Sequence, residues 1–173
     1  MLGKGLLAAM VLGASWSATA LADVDAAALR AALVLTEPPA GAVSLEAARQ
    51  TLGVGGQPVV VQGRIGAKGM DPFLKGKASF SLLEIPADDH ASKPGHNADD
   101  CPFCKKRQAN ATMAAVQFLG ADGQPIPVDA RQLFGVAAGQ DVIVRGTGVF
   151  DPNLGIPVIQ VTADGIYVVP RGK

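Results

Sequence analysis

The sequence predicts an all-β domain with a minor helix, and three observations carry that prediction. Twenty-one glycines and twelve prolines are too many for a helical bundle and suit short strands joined by tight turns. Hydrophobic residues make up 49% of the chain but aromatics only 5%, which implies a core of Val, Ile, Leu and Ala. Between residues 57 and 169, runs of β-branched or alternating apolar residues are separated by turn signals, as strands are.

The chain opens with a segment of a different kind. Met1-Leu2-Gly3-Lys4 is short and basic, Gly5 to Trp16 is apolar, and Ser17 to Ala22 is built mostly of small residues. That order is the pattern of a cleavable secretory signal, with Ala20 and Ala22 filling an A-x-A-like cleavage site. Export to the periplasm or medium is therefore expected, with residues 1–22 removed and a mature chain of about 150 residues, the usual size of one domain. The apolar run is shorter than the roughly 20 residues of a spanning helix.

Residues 23–56 are expected to form a helical leader. The Ala-rich stretch Asp23 to Leu35 favours helix and is broken by Glu37-Pro38-Pro39-Ala40-Gly41. Ser44 to Gly53 reads as a compact helix with Ser44 as its N-cap and Gly53 as its stop. The barrel region, 57–173, begins with Val59 to Ile65, where Gly63 suggests a bulge or sharp bend. Ala78 to Ile85 is the second strand, with Phe80, Leu82 and Ile85 on its buried side. A polar insert occupies about 86–107. Met113 to Leu119 is the third strand, closed by the turn Gly120 to Pro125, and Asp129 to Phe134 is a short helix. Asp141 to Phe150 and Pro157 to Val161 are the next strands, and Gly165 to Val169 ends the ordered pattern. Asp71-Pro72-Phe73 and Asp151-Pro152-Asn153 each follow a strand and read as matching turns.

Three strands, a short helix and two further strands resemble the OB-fold, a five-stranded Greek-key barrel. The likeness covers about residues 57–169. It rests on element order and on the paired segments Val61-Gln62-Gly63 and Val144-Arg145-Gly146, which look like the first and fourth strands of that barrel. The resemblance implies a binding face on the barrel, which in that family takes mostly oligonucleotides or oligosaccharides; a protein or small ligand is the partner considered for that face here. Nucleic acid is a poor match, because net charge is zero and stacking aromatics are few.

The residues that carry chemistry lie in the insert. The chain's two His and two Cys all fall between positions 90 and 104: His90, His96, Cys101 and Cys104. Imidazole nitrogen and thiolate sulfur suit zinc, and the four together would complete a tetrahedral shell, although another transition metal has similar preferences. Cys101-Pro102-Phe103-Cys104 has the two-residue gap of a zinc knuckle, and Asp88, Asp89, Asp99 and Asp100 would attract a cation. In an exporting context a plain Cys101–Cys104 disulfide, with both His as solvated loop residues, is the competing expectation. A third reading comes from likeness: Cys101-Pro102-Phe103-Cys104-Lys105-Lys106 resembles the active-site turn of glutaredoxins. That implies Cys101 as attacking thiolate and Cys104 as resolving thiol. The setting differs from that family's, since the motif follows a polar stretch and Asp99 and Asp100 oppose thiolate formation.

Other patterns explain less. Ser79 and Ser81 lack a Gly-x-Ser-x-Gly elbow. Gly63-Arg64-Ile65-Gly66 and Gly146-Thr147-Gly148 open no helix that could cradle phosphate. Lys105-Lys106-Arg107 is the one basic run and reads as a solvated face. The expectation is thus an exported small β-barrel holding zinc through His90, His96, Cys101 and Cys104 as a binding or structural module. A periplasmic thiol-disulfide or metal-dependent redox protein using the CPFC pair is the alternative.

Overall fold

The structure is a computed structural model and describes residues 25–86, 101–102, 106, 110–155 and 158–170. The domain is predominantly β with a few short helices. Two helices and a two-residue strand precede the main strands: α1 (Ala26–Leu33), β1 (Val43–Ser44) and α2 (Leu45–Thr51). There follow β2 (Gln57–Ile65), β3 (Ser79–Leu83), β4 (Met113–Phe118), α3 (Ala130–Phe134), β5 (Asp141–Val149) and β6 (Ile159–Val168).

The strands form one mixed six-stranded sheet in the order β1-β2-β3-β4-β6-β5, and β5 pairs back onto β2. Five strands therefore make a ring. The β2–β5 seam is antiparallel from Gln57↔Gly148 to Arg64↔Asp141, and β4–β6 is parallel from Ala114↔Ile159 to Phe118↔Ala163. The sixth strand was not anticipated: Val43 and Ser44 lie parallel to Val61 and Gln62. Two residues carry too little pattern to be read as a strand from sequence.

Alternation decides what enters the ring. In β4 the even positions Ala114, Val116 and Phe118 are buried, and in β2 Val61 and Ile65 are, as strand geometry requires. Along this ring the core is aliphatic, with an aromatic string at one end. Phe80 lies 6.4 Å from Phe118, and Phe118 lies 4.5 Å from Phe134 of α3, centroid to centroid. The end where β4 finishes is thereby plugged by α3, which starts on its N-cap Asp129 and stops at Gly135 in the left-handed region.

The segment expected as a helical leader packs on the ring. Asp25 caps α1 by accepting from the Ala27 and Ala28 amides, and Leu29, Leu33 and Val34 lie against the core. The Leu35 amide then donates to the Ile166 carbonyl of β6 at 2.8 Å. In α2, Leu45 and Ala48 are fully buried. Ser44 caps that helix as expected, accepting from the Ala47 amide at 3.1 Å. The helix ends on extended Leu52 rather than on a left-handed Gly53.

Two glycine readings change. Gly63 makes no bulge, since it pairs in register with Val142. A Cβ there would lie 3.0 Å from the Leu82 Cβ, so close packing is what it serves. The register breaks instead between Arg145 and Gly146, where Gly165 and Ala163 are the partners and Asp164 is the extra residue. This bulge also joins the two final segments expected separately into the single strand β6. Both Asp-Pro segments are turns as expected, for the Asp71 and Asp151 carboxylates accept from the amides two residues on.

Candidate functional site at the base of the insert

The insert leaves the ring after β3 and returns at β4, so its two ends are fixed by that antiparallel pair. The ladder runs to Leu83↔Met113 and extends one step further, where the Glu84 amide donates to the Thr112 carbonyl at 2.9 Å. At this point α2 meets the stem. The Glu84 carboxylate accepts from the Glu46 amide at 2.9 Å, satisfying a free donor in the first turn of α2. The Thr112 hydroxyl in turn donates to the Glu46 carboxylate at 2.6 Å. Glu46, Glu84 and Thr112 thus tie both ends of the insert to the start of one helix.

Glu46 has further partners on its own helix. Arg49 donates to it through Nη2 at 2.7 Å and Nε at 3.2 Å. The Arg49 guanidinium, followed by the Thr112 hydroxyl, holds the Glu46 carboxyl down at about 2, against an ordinary value of 4.5. A carboxyl whose folded-state pKa is depressed contributes its stabilisation fully above the unfolded value, and loses it as pH falls through the folded one. The expected result is a loss of stability across the window from 4.5 down to about 2 that is shallower in Glu46→Gln. Thermal unfolding of both proteins at about pH 6 and about pH 3 checks it, and equal pH responses would contradict it.

Of the four residues singled out as metal ligands, His90, His96 and Cys104 lie outside the described residues. Cys101 is half-buried and directly precedes Pro102, whose backbone is helical, as is that of Lys106 and Asn110. Proline suits the first helical position because its missing N–H would have no partner in the helix there. Cys101 thus directly precedes a residue of helical backbone. Among the described residues no group of three or more His, Cys, Asp or Glu could hold a metal ion.

The opposite end of the ring carries a second polar cluster. Arg131 donates to Asp129 through Nε and Nη2, both at 2.9 Å. It also lies 3.5 Å from Asp71 and 4.9 Å from the Phe73 ring centroid. Arg131 keeps the Asp129 carboxyl well below the usual carboxylate range. These pairings are internal, and they fasten the β2–β3 loop to α3. Among the described residues the buried ones include no polar or charged side chain.

No family model matches the chain, and no curated protein matches it. It is similar to a solved chain described as an aspartyl-tRNA synthetase from Leishmania major Friedlin, at 11% identity and a TM-score of 0.40, covering 82% of this chain and 23% of that one. The chain thus spans under a quarter of that synthetase, and a likeness at this level carries no function across.

The Glu46–Glu84–Thr112 node escaped sequence reasoning. Its hydrogen bonds join residues 38 and 66 positions apart, and only the fold brings them together. No helix among the described residues is long and apolar enough to cross a membrane.

Proposed function

We propose that this is an exported protein whose five-stranded ring is a Greek-key barrel of OB type and whose β3–β4 insert holds one zinc ion. The ligands are His90, His96, Cys101 and Cys104. The fold part of the reading is supported by ring order, by the parallel β4–β6 pair and by the position of α3 between β4 and β5. Export is supported by the basic, apolar and small-residue order of positions 1–22.

One observation carries the zinc reading furthest: the chain's two His and two Cys all fall between positions 90 and 104. The two-residue gap of Cys101-Pro102-Phe103-Cys104 is that of a zinc knuckle, in which a tight turn lets both sulfurs face one ion. The insert is rich in charge and poor in apolar residues, and a metal would order it. The protein then acts as a binding or structural module, with the zinc-ordered insert as its distinctive surface.

The likeness of Cys101-Pro102-Phe103-Cys104-Lys105-Lys106 to the glutaredoxin active-site turn favours a second reading, thiol-disulfide exchange. There the Cys101 thiolate attacks a partner disulfide and one partner thiolate leaves. Cys104, deprotonated, then displaces the other, which leaves a Cys101–Cys104 disulfide and a reduced partner.

Zinc content and free thiols measured together on aerobically prepared mature protein separate these readings. One equivalent of zinc with two protected thiols is expected, and His90→Ala with His96→Ala should lower zinc affinity by at least tenfold, as loss of coordination does. A metal-free protein with a readily reduced disulfide would instead establish the exchange reading. Unchanged zinc affinity in the double variant would remove both imidazoles from the shell.

A further inference from the structure

Independently of the zinc reading, we infer that the β2–β3 loop seats the domain on an anionic phospholipid surface. The loop, residues 66–78, carries Lys68, Lys75 and Lys77 against the single carboxylate of Asp71, a net charge of +2. Two apolar side chains stand out among these lysines: Met70 is 72% exposed and Leu74 is 56% exposed. Gly69 and Gly76 bracket them at positive φ, 75° and 69°, and a Cβ on either would meet nothing within 4 Å. The chain therefore turns outward and back through open space, and its apolar tips project.

The loop is held from below, so this shape exists before any partner arrives. Between the two tips Phe73 is buried, and the Pro72 carbonyl accepts from the Ser81 amide at 2.8 Å. The Leu74 amide donates to the Ser79 carbonyl, and the Leu74 carbonyl accepts from the Lys77 amide. Asp129 accepts from the Gly76 amide at 3.4 Å, and Arg131 spans Asp71 and Asp129. Arg131 thus engages the carboxylates on and beside the loop, and Asp122 in the turn after β4 accepts from the Gln124 amide. Among the described residues, Lys68, Lys75 and Lys77 pair with no carboxylate. Such lysines around projecting apolar tips match anionic lipid in both respects. The ammonium groups meet lipid phosphates, and the Met70 and Leu74 side chains enter the boundary between headgroups and acyl chains. An acidic peptide would engage the lysines without needing the two tips. Because the loop is already ordered, docking costs it little conformational freedom.

Co-flotation of the mature protein with lipid vesicles tests this, with phosphatidylglycerol mixed into phosphatidylcholine in one set and phosphatidylcholine alone in the other. Wild-type protein should float with the anionic vesicles and stay off the zwitterionic ones. Raising salt to about 1 M should weaken the binding, since charges are then screened within about 3 Å. Met70→Ser with Leu74→Ser should weaken it about tenfold or more, as the loss of two inserting apolar side chains does. Lys68→Gln, Lys75→Gln and Lys77→Gln together should weaken it about fivefold per lysine. Both sets should leave the unfolding temperature unchanged, because none of the substituted side chains is buried. Val54→Ser with Leu154→Ser removes two exposed apolar side chains outside the loop and should leave vesicle binding as it was. Wild-type protein that ignores anionic vesicles, or that binds both kinds equally, would overturn the inference. Loop variants that bind as tightly as wild type would also overturn it, as would equal weakening by the Val54 and Leu154 substitutions. Binding to polyglutamate but not to vesicles, retained by the Met70 and Leu74 variant, would assign the lysines to an acidic protein instead.

Discussion

Replacing Phe118 by alanine is expected to destabilise the domain by about 4 kcal/mol, within the range for a buried aromatic truncated in a core. Phe118 is fully buried at the end of β4 and lies at the middle of the aromatic string. Its ring is 4.5 Å from Phe134 and 6.4 Å from Phe80, both tilted, and each such contact adds about 0.5–1.5 kcal/mol beyond area burial. The side chain is also the seat on which α3 rests, because Phe134 is that helix's last residue. Relaxation to fill the hole is limited, since the neighbouring backbone is held in both the β3 and β6 ladders. Chemical denaturation checks the value: the midpoint should fall sharply, whereas Phe118→Leu, which loses both ring contacts but leaves a smaller hole, should cost less. A Phe118→Ala midpoint near wild type would mean that α3 does not depend on this contact. Losses of this size matter because domains of this kind are stable by only about 5–15 kcal/mol.

How much of this was legible in the chain depends on the range of the interaction. Strands β2 to β5 could be placed because their period-two patterns are local, and the Ser44 cap and the two Asp-Pro turns because their chemistry spans two or three residues. Ring closure was anticipated through element order and the twin Val-x-Gly segments. The structure gives these a direct meaning, since Val61 pairs with Val144 and Gly146 with Val59 across the β2–β5 seam. Of the candidate site, the His and Cys clustering was visible, while its anchorage on α2 was not. A carboxylate at 46 and a threonine at 112 look like ordinary surface residues until the sheet brings them within 2.6 Å. Pro157 to Val161 and Gly165 to Val169, read as separate segments, contribute to one strand because the residues between them form a bulge, where Arg145 donates to the extra Asp164 at 2.7 Å.

That bulge leads to the second large effect, Gly146→Ala, expected to cost about 3 kcal/mol or more, at or beyond the upper end for overpacking. The cause is contact with backbone. A Cβ on Gly146 would lie 2.2 Å from the Thr162 carbonyl oxygen and 2.8 Å from the Ala163 Cα. Neither atom can swing aside as a side-chain tip would, because both belong to β6, which is held by β4 on its other edge through Thr162↔Gln117 and Ala163↔Phe118. Relief would require β5 and β6 to part where the register already breaks, and those two strands help close the ring. Gly55→Ala is the matched control, because a Cβ there meets nothing within 4 Å; it should be neutral or stabilise by a few tenths of a kcal/mol through the unfolded chain. If both alanine variants unfolded at the same denaturant concentration, the close approach of β5 to β6 would not be a determinant of stability. A selective loss at Gly146 instead gives this glycine a steric role in a strand where φ is not in the left-handed region.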